Sequence, residues 1–279
     1  MKAGQTAVIT GAGSGIGRAL AKKLDAQGLS LVLADVNNQG LEETAASLSK
    51  KPTIEIVDVS KRAQVEAMAE RAQQKHGHVD LLVNNAGVTV HDTVAEVSYE
   101  DFEWVMNINF WGVVYGTKAF LPAMLRQRSG VIANVSSVFG ITAWPLQSVY
   151  NSSKFAVRGF TETLWRELKN TGVRAVSIHP GGIKTNIVRS MRFRRGASSG
   201  ANHALMTRLF DKMAATTAED CAETIVRGID KGDKRVLIGK DAIMLDRLQR
   251  TSPTGYPTVL DFLEQRQEAK RAKRRSGQS

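Results

Sequence analysis

The 279 residues carry 38 Lys and Arg against 27 Asp and Glu, a net charge of +11, with 42% apolar residues and 6 prolines. This composition can bury a large core and excludes a disordered chain, and no apolar run reaches the ~18 residues a membrane span requires. A lone cysteine, Cys221, excludes an internal disulfide framework, so a reducing, cytoplasmic setting is expected.

The N-terminus passes directly into Ala7-Val8-Ile9, and no cleavable signal peptide is expected ahead of it. Apolar runs of strand length follow at 6–10, 31–35, 53–59, 80–85, 131–137 and 174–179, with a seventh at 235–239. Helical spacing lies between them. Over 16–27 it places Ile16, Ala19, Leu20 and Leu24 on one face before Gly28, a residue suited to a left-handed cap. Further helices are predicted over 39–49 and 61–76, and a long one starts at Ser98, where Asp101 completes a capping-box spacing. Alternating strands and helices predict an α/β fold: a Rossmann-type, doubly wound parallel sheet of about seven strands with helices on both faces. Ligands of such sheets bind beyond the carboxyl ends of the strands. Residues 1–250 read as a single dinucleotide-binding and catalytic domain with a substrate lid at about 185–215. Residues 251–279 read as a C-terminal extension with a basic tail.

Directly after the first strand comes Thr10-Gly11-Ala12-Gly13-Ser14-Gly15-Ile16-Gly17. Gly11 permits the tight turn, Gly15 and Gly17 clear side chains from close approaches, and the following helix offers free N–H groups to a pyrophosphate. Asp35 closes the second strand at the distance where a carboxylate binds ribose hydroxyls and repels a 2′-phosphate. Ser14 and Val36 leave the usual phosphate-gripping positions uncharged, which favours NAD over NADP, with Arg18 the one nearby cation that could reverse the preference.

Tyr150-Asn151-Ser152-Ser153-Lys154 puts a phenol and an ammonium on one helix face, and the positive charge is expected to lower the phenol pKa toward a useful range. Together with Asp58-Val59, Asn84-Asn85-Ala86-Gly87, Asn109, Ser137 and Pro180-Gly181, the glycine turn and this pair resemble the short-chain dehydrogenase/reductase family over nearly the whole chain. The resemblance implies that Tyr150 is the acid/base and that Ser137 binds the same substrate oxygen. It implies that Lys154 holds the nicotinamide ribose, and that Asn109, with Asn107 as the neighbouring alternative, anchors a proton-relaying water. It further implies that Asp58 meets the adenine, Asn85 lies near the adenine ribose and Pro180, Ile183 and Thr185 lie beside the nicotinamide carboxamide, with Val59, Ala86, Gly87 and Gly181 also in the cofactor site. A homodimer or homotetramer is implied as well, through the helix after Ser98, which carries Trp104, Phe110, Trp111 and Phe120, and the helix bearing Tyr150.

His179 reads as a positioned structural histidine, and the remaining histidines lack metal-ligand spacing, so no metal site is expected. Residues 168–210 contain Lys169, Arg174, Lys184, Arg189, Arg192, Arg194, Arg195 and Arg208 and no acidic residue. They read either as a solvated loop or as a lid that receives an anionic substrate. The Lys270–Arg275 cluster, after Tyr256, Val259, Leu260, Phe262 and Leu263, reads as a solvated tail or as a short amphipathic contact with anionic lipid. No nucleic-acid motif accompanies the charge. The function expected is hydride transfer between NAD(H) and a secondary alcohol or ketone, largely apolar, with or without an anionic group; a non-catalytic dinucleotide sensor or scaffold is the alternative.

Overall fold

The computed structural model describes residues 1–185, 191–193 and 214–262. Its strands are β1 (Thr6–Thr10), β2 (Ser30–Asp35), β3 (Thr53–Ile56), β4 (Leu81–Asn84), β5 (Val90–His91), β6 (Gly130–Val135), β7 (Val173–Pro180), β8 (Arg192–Phe193) and β9 (Arg235–Ile238). Seven form one parallel sheet in the order β3-β2-β1-β4-β6-β7-β9, while β5 and β8 pair separately. The helices are α1 (Gly15–Ala26), α2 (Asn38–Ala46), α3 (Arg62–His76), α4 (Tyr99–Met106), α5 (Gly112–Gln127), α6 (Ser148–Glu167), α7 (Ala218–Lys231) and α8 (Lys240–Thr251).

Strands buried on both faces need apolar residues at every position, which is why β1 reads as a continuous apolar run. Ala7 and Ile9 join Leu20, Leu24 and Ile225 of α1 and α7 on one side. Val8 joins Met68, Phe120 and Leu164 of α3, α5 and α6 on the other. Chain order reverses at β1: β2 and β3 lie to one side, β4 to the other. The crevice beyond the ends of β1 and β4 is therefore the expected ligand site.

Two expectations change. β3 stops at Ile56 because its partner β2 ends at Asp35, the residue it faces. The helix from Ser98 is not continuous: α4 gives way to a π turn, Asn107–Trp111, before α5 begins. The wider turn rotates the side chains that follow, leaving Asn107 exposed and Asn109 fully buried.

Candidate active site

At the end of β1 the glycine turn is held by side chains that the topology brings to it. Gly11 has φ +66, and Asn85 donates through Nδ2 to the carbonyls of Thr10 (2.9 Å) and Gly11 (3.2 Å). The Thr10 hydroxyl accepts from the amides of Asn85 and Ala86, binding the turn to the end of β4. Ser14, the N-cap of α1, makes no side-chain cap, so the first amides of α1 meet no side-chain acceptor there and suit an anion. Ile16 packs against the core. Thr185 closes over the turn from the opposite wall: a Cβ on Gly15 would come 3.3 Å from its methyl. A Cβ on Gly17 would overlap the Gly11 carbonyl oxygen. Gly17→Ala is accordingly expected to raise the dissociation constant for NADH at least tenfold in a fluorescence titration, with the displaced turn as the cause.

Asp35 accepts from the Gly13 amide (2.9 Å) and the Asn37 amide (3.0 Å), which fixes its carboxylate at the rim of the turn. Arg18 is occupied: it donates to the Gly13 carbonyl (2.6 Å), the Gly40 carbonyl (3.3 Å), the Thr44 hydroxyl (3.0 Å) and Glu43 (2.8 Å), tying the turn to α2. Gly40 makes that approach possible, since a Cβ there would lie 2.7 Å from the Gly13 carbonyl oxygen. Asp58 accepts from the amide and hydroxyl of Ser60, and Val59 packs on Gly112.

The reactive groups meet at the end of β6. Lys154 is 3% exposed and donates to the Val135 carbonyl at 2.8 Å, and its ammonium lies 5.5 Å from the centre of the Tyr150 ring. Ser136 donates to the Lys154 carbonyl (2.8 Å), fixing α6 against β6. Ser137 follows; its hydroxyl accepts from the Phe139 amide (3.1 Å) and stands near enough to the Tyr150 phenol to favour its ionised form. Asn109 accepts from the Val88 amide (2.8 Å) and donates to the Val88 carbonyl (2.9 Å) and the Ser153 hydroxyl (3.0 Å), locking the loop after β4 to α6. Gly87 lies beside it: a Cβ there would come 3.5 Å from the Lys154 ammonium. These contacts bring Gly87, Asn109, Ser137, Tyr150 and Lys154 together at the carboxyl end of β6.

A family model for short chain dehydrogenases matches residues 5–196. A putative oxidoreductase, SadH, from Mycobacterium tuberculosis is 41% identical over 263 residues, covering 92% of this chain and 94% of the relative. A short-chain dehydrogenase/reductase from Burkholderia phymatum, solved in complex with NAD, superposes with a TM-score of 0.81 at 34% identity, covering 90% of this chain and 94% of that one. Levodione reductase superposes with a TM-score of 0.78 at 28% identity, covering 87% and 99%. The chain belongs to the short-chain dehydrogenase/reductase family. It is an oxidoreductase fold built around a nicotinamide dinucleotide, and the uncapped α1 terminus and the glycine-rich turn, in which a Cβ on Gly11 or Gly17 would clash, fit that cofactor.

Within this family member the electrostatics differ from the sequence expectation. The Tyr150 pKa is not lowered: burial pushes it up to about 12, against a smaller lowering by the Ser137 hydroxyl. Burial also takes Lys154 down to about 8. Desolvation disfavours both ions, and Lys154 is directed at the Val135 carbonyl rather than at the phenol oxygen. His179, fully buried, sits behind Ser137: Nδ1 is 3.0 Å from the Ser137 carbonyl, Nε2 is 2.8 Å from the Ser177 hydroxyl, and burial holds its pKa down at about 4.

Arg192 is unsuited to a substrate anion. It pairs with the fully buried Asp101 (3.0 Å) and lies 3.6 Å over the Trp104 ring. Arg189, Arg194, Arg195, Arg208 and the 270–275 cluster fall outside the described residues.

The reading of the sequence did not find the apolar wall beside Tyr150. Phe139 meets the Tyr150 ring edge-on at 6.0 Å and stacks on Trp144 at 5.9 Å. Tyr256 accepts from the Ala143 amide (2.9 Å), and Leu260 packs with Val138 and Leu245. Tyr256 reaches Ala143 across 113 residues, so no local pattern marks that contact. Among the described residues, no helix is long and apolar enough to cross a membrane.

Proposed function

We propose that the protein interconverts a secondary alcohol and a ketone of largely apolar character, using NAD(H) in preference to NADP(H). The observation that carries this reading is the convergence of the Ser137 hydroxyl, Tyr150 phenol and Lys154 ammonium at the carboxyl end of β6, beside the glycine turn. The bound cofactor supplies or takes the hydride. Ser137 would donate a hydrogen bond to the carbonyl oxygen, and Tyr150, protonated at neutral pH, would deliver a proton to that oxygen in reduction and take it back in oxidation. Lys154 would hold the nicotinamide ribose and stabilise the phenolate as the proton leaves. The Phe139–Trp144 wall supports an apolar substrate.

The preference for NAD rests on Asp35 and on Arg18 being engaged by Gly13, Gly40, Thr44 and Glu43. In Asp35→Ala the ratio of kcat/KM for NAD to that for NADP should fall at least tenfold, chiefly through KM for NAD; an unchanged ratio would remove Asp35 from the selection.

In this reading the protein is a homodimer or homotetramer, supported by an aromatic strip of Phe160, Phe110, Trp111 and Tyr115 across the π turn, α5 and α6, in which Trp111 is 44% exposed. The test of function is a spectrophotometric screen of hydroxy-acyl, steroid and long-chain secondary alcohols and ketones with NAD and NADP in parallel. Turnover of a member by the wild type supports the assignment. Tight dinucleotide binding with no turnover of any member would favour a sensor or scaffold.

A further inference from the structure

Ile183 and Thr185 stand on the segment that follows β7, Pro180-Gly181-Gly182, whose two glycines have no side chain with which to hold a position. Contacts from elsewhere hold it. The Gly181 amide donates to the Ile238 carbonyl (2.9 Å), and Thr216 pairs alongside, accepting from the Lys184 amide at 2.9 Å and donating to the Gly182 carbonyl at 3.4 Å. The remaining contact comes from a side chain. Asp241, in the first turn of α8, accepts from the Gly182 amide at 2.7 Å across 59 residues.

The space around that carboxylate is made by glycine. A Cβ on Gly181 would overlap both of its oxygens, and a Cβ on Gly239, which has φ +97, would overlap Oδ1. Asp241 therefore occupies a slot between the ends of β7 and β9 that any other residue at 181 or 239 would fill. A carboxylate whose only task was to favour the N-terminus of α8 would have no need to enter it. We propose that Asp241 is a positioning residue for the nicotinamide-facing segment: by holding the Gly182 amide it sets where Ile183 and Thr185 stand relative to the glycine turn, and hence cofactor affinity. The inference rests on the reading of Pro180–Thr185 as the nicotinamide wall. The N–H···O bond to Asp241 is charge-assisted, unlike the neutral backbone bonds beside it, and it fixes Gly182 directly where the buried Ile183 anchors only the next residue.

The test compares wild type, Asp241→Ala and Asp241→Asn by NADH fluorescence titration, steady-state kinetics, thermal unfolding and amide hydrogen exchange at Gly182 in the cofactor-free protein. Asp241→Ala should raise the NADH dissociation constant and KM for NAD about tenfold, lower kcat less than threefold, and speed exchange at Gly182. Asp241→Asn, which keeps an acceptor oxygen, should recover affinity to within about threefold of wild type. A lowered unfolding temperature in Asp241→Ala with unchanged NADH affinity would show a role confined to the fold and overturn the proposal, as would Asp241→Asn binding no better than Asp241→Ala. Wild-type protein that binds neither NADH nor NADPH would overturn the underlying reading, and the proposal with it; normal wild-type binding beside an unaffected Asp241→Ala overturns the proposal alone.

Discussion

Tyr150→Phe should lower kcat by about 10³-fold or more while NADH affinity stays within about threefold of wild type. The substitution removes one oxygen and leaves the ring, so the edge-on contact with Phe139 survives and the unfolding temperature should change little. What disappears is the proton that Tyr150 would deliver. Ser137 alone, with an ordinary hydroxyl, is too weak an acid to replace it. Stopped-flow or steady-state absorbance of NADH beside a fluorescence titration separates chemistry from binding. Retention of more than about a tenth of wild-type turnover would remove Tyr150 from the acid/base role.

Lys154→Met is the second large effect, and it divides function from stability. Turnover should fall at least 10²-fold, because the phenolate loses its neighbouring cation and the ribose its donor. Stability should rise. Lys154 is 3% exposed, and its pKa drops from 10.5 in the unfolded chain to about 8 in the folded protein. Below pH 8 both states carry the proton, and folding a desolvated ammonium costs about 3 kcal/mol, the free-energy equivalent of that shift. Between pH 8 and 10.5 the unfolded chain binds more protons than the folded one, so wild-type stability from this group increases with pH and the penalty is gone above 10.5. Methionine removes the penalty at every pH but leaves the Val135 carbonyl without its donor, a loss of about 1 kcal/mol. At pH 7 the variant should therefore be about 2 kcal/mol more stable than wild type in urea unfolding, and the advantage should vanish or reverse by about pH 10.5. An advantage independent of pH, or a less stable variant at pH 7, would show that Lys154 is not folded at a cost.

Much of the fold and part of the site could be read before any tertiary contact was known. The strands at 6–10 and 31–35 announce themselves as unbroken apolar runs because both sheet faces are covered. Gly28 marks the end of α1 because a left-handed position admits few other residues, and it has φ +83. The glycine turn and the Tyr150–Lys154 pair are visible because strand–turn–helix and one helical turn are short-range geometries.

What resisted reading is long-range. Arg18 and Arg192 are cations whose partners, Glu43 and Asp101, arrive from other elements, so a local inspection counts charges without seeing them engaged. The direction of the Tyr150 shift follows the same rule: proximity to Lys154 is encoded in a spacing of four residues, whereas desolvation exists only once the cavity has closed. The sequence alone therefore determined the order of elements, the glycine turn between β1 and α1 and the one-face spacing of Tyr150 and Lys154, all carried by neighbours along the chain. The tertiary structure alone decided that Asn109 is turned inward by a π turn, that Tyr256 and Leu260 pack beside Phe139 and Trp144, and that Asp241 reaches Gly182, since burial and contact between distant segments are set by packing and not by periodicity.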